Sequence, residues 1–260
     1  MGTAKRQRKE AFFKEHPICF NCGTAPATTE DHVPSRECFV DRQWPDGFVF
    51  PACAPCNEKI ASIEQGMALL IRLADADESR ADPAAIEKMI RGVVNNTPDM
   101  LPREFENEAD KQQAIADSGW QPGPGETWDD APVLALGSGW RDAVQAFARK
   151  LTLALYYKEI GTPLPLDHYM RTEFFQFTDH GAPEIVEEFR KMLPDYRIGT
   201  RTNTDLGDQF QYITGQSDAE GVFAVFVQLA RSWFIVGVAV PAAQGAGHPD
   251  YIKHEDELTL

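Results

Sequence analysis

The sequence predicts an α+β protein whose elements come in three successive groups. Five cysteines crowd into the first 56 residues of 260, and four of them form two Cys-x-x-Cys pairs. Helical patterns then run to about residue 118, apolar at three- and four-residue steps as far as about 97 and polar beyond, and β-rich segments separated by turn residues fill the last quarter. The implied organisation is a small metal-stapled unit over 1–66, a helical segment over 67–119, a linker over 120–137 and an α+β domain over 138–260.

The N-terminal unit is read from its cysteines. Cys19-x-x-Cys22 and Cys53-x-x-Cys56 are separated by 30 residues, and two such knuckles present four thiolates at tetrahedral spacing. A closed four-sulfur shell leaves no open position for chemistry, so the expected occupant is a structural Zn²⁺. Two disulfides or redox pairs are the alternative, which the odd cysteine count and the lack of an apolar signal core disfavour. Cys38 reads as a small buried hydrophobe.

Downstream, positions 55 to about 76 carry Ile60, Ile63, Met67, Leu70, Ile71 and Ala74 on one helical stripe. Asp82-Pro83 is an N-cap followed by a first-turn proline, opening a second helix that ends near Asn95-Asn96-Thr97-Pro98. Positions 101 to about 118 form a polar, peripheral helix, and the Pro/Gly-rich stretch 120–132 is the best linker. Trp140, Val144, Phe147, Leu151 and Leu155 mark a strong amphipathic helix over 139–160, ended by Gly161. A short helix over 184–192 and strands near 196–202, 209–214, 222–229 and 233–240 complete an antiparallel sheet with a helix packed on it.

The net charge is −15, from 25 Lys+Arg and 40 Asp+Glu. Taken whole, it opposes nucleic-acid binding, because phosphates repel acidic surfaces. Counted by region, residues 1–60 hold 8 basic and 8 acidic side chains, and residues 61–260 hold 17 and 32. Residues 1–60 are therefore neutral, with Lys5, Arg6, Arg8, Lys9 and Lys14 making a cationic arm. The acidic remainder is expected to face protein, through a partner or a homodimer. The longest apolar run, 233–243, is too short to cross a bilayer, so no membrane partner and a cytoplasmic location are expected.

Between the knuckles lies Thr28-Thr29-Glu30-Asp31-His32-Val33-Pro34, and the second knuckle continues Cys56-Asn57-Glu58-Lys59. The order CxxC, Asp-His, CxxC-Asn resembles the HNH endonuclease family with its zinc-stabilised ββα-metal finger, over about residues 15–66. The resemblance implies a phosphodiester hydrolase acting on nucleic acid, expected to be DNA, in a restriction or phage-defence setting. It assigns His32 as general base, and Asp31 and Asn57 as oxygen ligands of a catalytic divalent ion. Phosphodiester hydrolysis needs a deprotonated water and a cation to neutralise the phosphate, and an imidazole with a pKa near working pH suits the first task. So few hard oxygen ligands favour Mg²⁺ or Mn²⁺ keeping several waters.

The family's middle Asn, which orients the catalytic His, corresponds here to Asp46. That residue either accepts a hydrogen bond from the imidazole, raising its basicity, or is the turn residue before Gly47. Glu64, two helical turns after Asn57, is either a further ligand or a solvated surface charge. Lys59 and Arg36 are either phosphate contacts or surface charges. The Asp-His pairs Asp167-His168 and Asp179-His180 form no recognisable ligand geometry. A second function class stays open, a zinc-stapled binding or adaptor module that does not cut, for which Asp46 and the acidic surface are the motives.

Overall fold

A computed structural model describes residues 3–75, 82–131, 133, 135–137, 139–176, 187, 196–198, 206, 209–217, 220–230 and 232–256. Among them the fold is mixed α and β, with two antiparallel sheets. Helix α1 (Thr3–Glu15) carries the cationic arm and buries none of its residues. The small sheet pairs β1 (Thr29–His32) with β2 (Val49–Ala52) in the register Asp31↔Phe50 and His32↔Val49. Helix α2 (Ala54–Leu73) follows directly, with Cys53 at its N-cap and Pro55 in its first turn, where the missing N–H costs nothing.

Helix α3 (Pro83–Asn96) starts on the predicted cap, the Asp82 carboxylate accepting from Ala84 N (3.0 Å) and Ala85 N (3.2 Å). The polar helix is shorter than its composition suggests, α4 (Glu108–Ser118), capped by Asn107 and ended by left-handed Gly119. The stretch after it holds a 3-10 turn, Trp128–Asp130, fixed by reciprocal Thr127 and Asp130 bonds.

Helix α5 (Trp140–Ile160) is the axis of the molecule, with twelve buried residues. One face meets α2 and the other lies on a six-stranded sheet of order β4-β5-β6-β7-β3-β8. Its strands are β3 (Tyr169–Gln176), β4 (Tyr196–Ile198), β5 (Phe210–Ser217), β6 (Val222–Leu229), β7 (Trp233–Val240) and β8 (Ile252–Lys253), and the four-residue helix α6 (Ala242–Gly245) links the last two. The period-2 alternation is clean in the central strands. Phe223, Val225, Val227 and Leu229 of β6, with Trp233, Ile235 and Ala239 of β7, join the main core. Ala224, Phe226 and Phe234 form a second cluster on the opposite face. Strand β3 has no expected counterpart, because Tyr169-Met-Arg-Thr-Glu-Phe-Phe-Gln176 does not alternate; its full pairing with β7 selects it. The segment 184–192 lies outside the described residues apart from Glu187.

The cysteine-bearing unit is packed into the rest of the chain. One buried cluster runs from Cys19 and Phe20 through α2 and α5 to the sheet. Phe48 of the small unit stands edge-on to Phe210 (5.2 Å) and Tyr212 (5.7 Å) of β5, and Phe50 meets Tyr157 of α5 (6.4 Å). His16 Nδ1 bonds the Tyr157 hydroxyl at 2.9 Å, and Val40 N donates to Gln209 Oε1 at 3.0 Å. α5 approaches the sheet so closely at Gly237 that a Cβ there would stand 2.7 Å from Thr152 Cγ2. Thr152 is fully buried and tied to Ala148 O, so it has nowhere to go. Gly237→Ala should therefore destabilise the fold by about 1–3 kcal/mol through overpacking, read as a lower urea midpoint at unchanged m-value; an unchanged midpoint would mean that α5 does not seat on β7 as described.

Candidate functional site

The four sulfurs of Cys19, Cys22, Cys53 and Cys56 lie within 4.8 Å of one another and form a cluster able to hold a metal ion. Among the described residues no other group of His, Cys, Asp or Glu meets that test. All five cysteines are unbridged, and Cys38 is buried away from the cluster. The local chain explains the convergence. Gly23 takes the left-handed conformation (φ +66°) that closes the first knuckle, and Cys22 Sγ accepts from Ala25 N (3.5 Å) and Thr24 Oγ1 (3.6 Å). The second knuckle opens α2, whose N-terminal dipole favours thiolates. Hydrogen bonds from Cys19 and Cys56 hold the Cys22 thiol far below its ordinary range. Hydrogen bonding to Cys22 raises the Cys19 thiol to about 11, and hydrogen bonds from Cys19 and Cys22 raise that of Cys56, so among the sulfurs by themselves the negative charge gathers on Cys22. The four clustered sulfurs fit a tetrahedral Zn²⁺ by number and spacing.

Residues from the far end of the chain support this cluster. His254 is fully buried, and its Nε2 meets Asn21 O between the first two cysteines at 2.9 Å. Burial lowers the pKa of His254 and fixes the ring as a neutral prop. Arg149 lies beside Cys56: burial lowers its pKa to about 10, while the sulfur pulls it upward. Its Nη2 also donates to His254 O at 3.4 Å.

The other predicted residues fall on the two faces of β1, since successive strand residues point to opposite sides. Asp31 turns inward. Its Oδ2 lies 2.8 Å from Lys150 Nζ, and Glu64 Oε1 of α2 lies 2.8 Å from the same ammonium. The side chains of Lys150, Asp31 and Glu64 are only 2%, 6% and 9% exposed. Burial pushes Glu64 up to about 7 against the attraction of Lys150. Burial opposes the charge on Lys150, but the two carboxylates outweigh it and raise its pKa above the ordinary lysine value. Asn57 lies on the same face, its Nδ2 donating to Thr29 Oγ1 at 3.2 Å.

His32 turns the other way. Its Nε2 is hydrogen-bonded to Arg36 Nη2, its ring stands edge-on to Trp44 (5.1 Å), and the Arg36 guanidinium lies 3.5 Å over the Trp44 ring. Burial first, and the Arg36 charge second, lower the pKa of His32, so the imidazole is neutral at neutral pH. Arg36 is half-buried and held by this stack, while Lys59 is exposed. Asp46 is exposed in the turn before β2. The hydrogen-bond partner that holds the imidazole is Arg36.

The arrangement does not fit a divalent ion on Asp31 and Asn57. The Asp31 carboxylate is already neutralised by a buried ammonium, and a hydrated Mg²⁺ would have to displace it. Sequence reasoning missed Lys150, whose only signal was a lysine on the otherwise apolar stripe of α5. His168 bonds only its neighbour Asp167 (3.2 Å), and Asp179 and His180 lie outside the described residues.

No protein-family model, no curated protein and no solved structure matches the chain. No helix among the described residues is long and apolar enough to cross a membrane.

Purified protein should carry one zinc per chain by elemental analysis; Cys53→Ala should lose it and Cys38→Ala should keep it, and zinc retained by Cys53→Ala would break the assignment. Glu64 gives a pH signature. Its pKa rises from 4.5 unfolded to about 7 folded, so the stability it contributes is complete below 4.5 and is lost as pH rises through about 7. Wild type should lose stability relative to Glu64→Gln between pH 5 and pH 8 in urea titrations; parallel curves would show that Glu64 is not buried as described.

Proposed function

We propose that the N-terminal unit is an HNH-type ββα finger that hydrolyses phosphodiester bonds in nucleic acid, with DNA as the expected substrate. The observation that carries this reading is His32: a half-buried imidazole kept neutral at the end of β1, directly bonded to an arginine. Hydrolysis needs a base that accepts a proton from water and a positive charge beside the phosphate. Arg36 donates to Nε2, so the neutral ring carries its proton on Nδ1 and Nε2 is the basic nitrogen. A phosphate that draws the guanidinium to itself frees Nε2 for water and takes on the charge of Arg36. Trp44 holds the guanidinium flat beside the base. The neutral charge of residues 1–60 and the cationic helix α1 let this region approach a phosphate backbone despite the net −15.

The Lys150 bond to Asp31 favours a second reading, a zinc-stapled module that binds without cutting and acts through the acidic C-terminal region. Nicking of supercoiled plasmid separates the two. Under the first reading His32→Ala lowers the cleavage rate by roughly 10²–10⁴-fold with zinc content unchanged, and the rate shows an acid limb below the usual histidine range, because a lowered pKa keeps the base competent to lower pH. A His32→Ala protein that cuts at the wild-type rate sinks it. Single-stranded DNA, double-stranded DNA and RNA all left intact by wild type across metals and salts, alongside tight protein binding in a pull-down, support the second.

A further inference from the structure

We infer that the ε-ammonium of Lys150 stands in the place of the catalytic divalent cation, so that this finger takes no Mg²⁺ or Mn²⁺ on Asp31. The inference rests on the HNH reading of Asp31, His32 and Asn57, and concerns how that site is charged.

Three observations carry it. Lys150 Nζ bridges Asp31 and Glu64 with two 2.8 Å contacts, one carboxylate from β1 and one from α2. A cation between two carboxylates held by a strand and the following helix is the arrangement a hard metal ion would adopt, and here a protein group makes it. The three side chains are almost wholly shielded from water, so a metal cannot join as an extra partner and must replace the ammonium. The ammonium also comes from a rigid source, since Lys150 lies in the interior of α5 between buried Ala148 and Leu151. A tethered cation in a low-dielectric site pairs with these carboxylates at no translational cost, whereas a hydrated divalent ion must first shed water.

A cavity of about 940 Å³ lies against Lys150 between α2 and α5, with Lys59, Ile63, Met100 and Arg171 in its walls. Lys150 lines that cavity while Asp31 and Glu64 lie behind it, so truncating Lys150 is expected to extend the space toward the two carboxylates, the donor set of a hard-cation site.

The test is Mn²⁺ binding to the full-length, zinc-loaded protein, followed by electron paramagnetic resonance. Wild type is expected to bind no Mn²⁺ at concentrations that load Lys150→Ala with one ion per chain, and Lys150→Ala/Asp31→Asn is expected to lose that ion again. A wild-type protein that binds one Mn²⁺, with Asp31→Asn removing it, overturns the inference. A folded Lys150→Ala protein that binds none does so as well. If Lys150→Ala does not fold, Mn²⁺ titrated into the ¹⁵N-labelled wild type decides: unbroadened amide signals of Asp31 and His32 support the inference, and selective broadening overturns it. Absence of plasmid cleavage, by contrast, defeats only the nuclease reading and leaves the Mn²⁺ result standing.

Discussion

Lys150 is the side chain around which the two parts of the molecule are assembled. An ammonium taken out of water is costly unless its partners are close and well placed, and here it has two carboxylates at 2.8 Å from two other elements. β1, α2 and α5 are thus bound to a common point inside the core, and none can shift without stranding a buried charge. Two carboxylates against one ammonium leave an excess negative charge, and the raised pKa of Glu64 is how the site accommodates it. The triad's weight lies in register. It fixes which residues of the three elements meet, while the aromatic contacts of Phe48 and Phe50 with β5 and α5 supply the surrounding apolar burial.

The next residue toward the N-terminus serves the other charged site. Arg149 feels the charge of Cys56 and bonds His254 O, and Lys150 pairs directly with Asp31, so two successive residues of α5 serve the sulfur cluster and the carboxylate pair. His254 completes the support from near the C-terminus by bonding the backbone of the first knuckle. Four thiolates around a Zn²⁺ would carry net negative charge, which the half-buried guanidinium of Arg149 would offset. The N-terminal unit therefore takes both its electrostatic balance and part of its core from residues more than eighty positions away.

His32 belongs to a different environment although it adjoins Asp31 in sequence. The strand's pleat sends Asp31 into the core and His32 to a half-buried cluster with Arg36 and Trp44. The inward residue is locked in an ion pair, and the outward one retains a neutral imidazole beside a cation. The proposed hydrolysis uses the His32 face, and the Asp31 face supplies structural cohesion.

Much of the fold was legible before the structure. Cap chemistry and periodicity place α2, α3 and α5 within a few residues, and two CxxC pairs predict the cluster, because spacing alone fixes which sulfurs can meet. The Asp-His segment and Asn57 mark where chemistry is expected, since local pattern carries residue type and spacing. The sequence could not show that Glu64, a charge on a helical stripe, is buried, nor that the lysine of α5 reaches it across 86 positions. It also concealed β3, whose irregular pattern becomes a strand only beside β7. Local sequence determines elements and short-range ligand sets because those depend on neighbours in the chain. Which charge neutralises Asp31 was decided by tertiary packing alone, because a buried ion pair depends on which surfaces the folded chain brings together and closes to water.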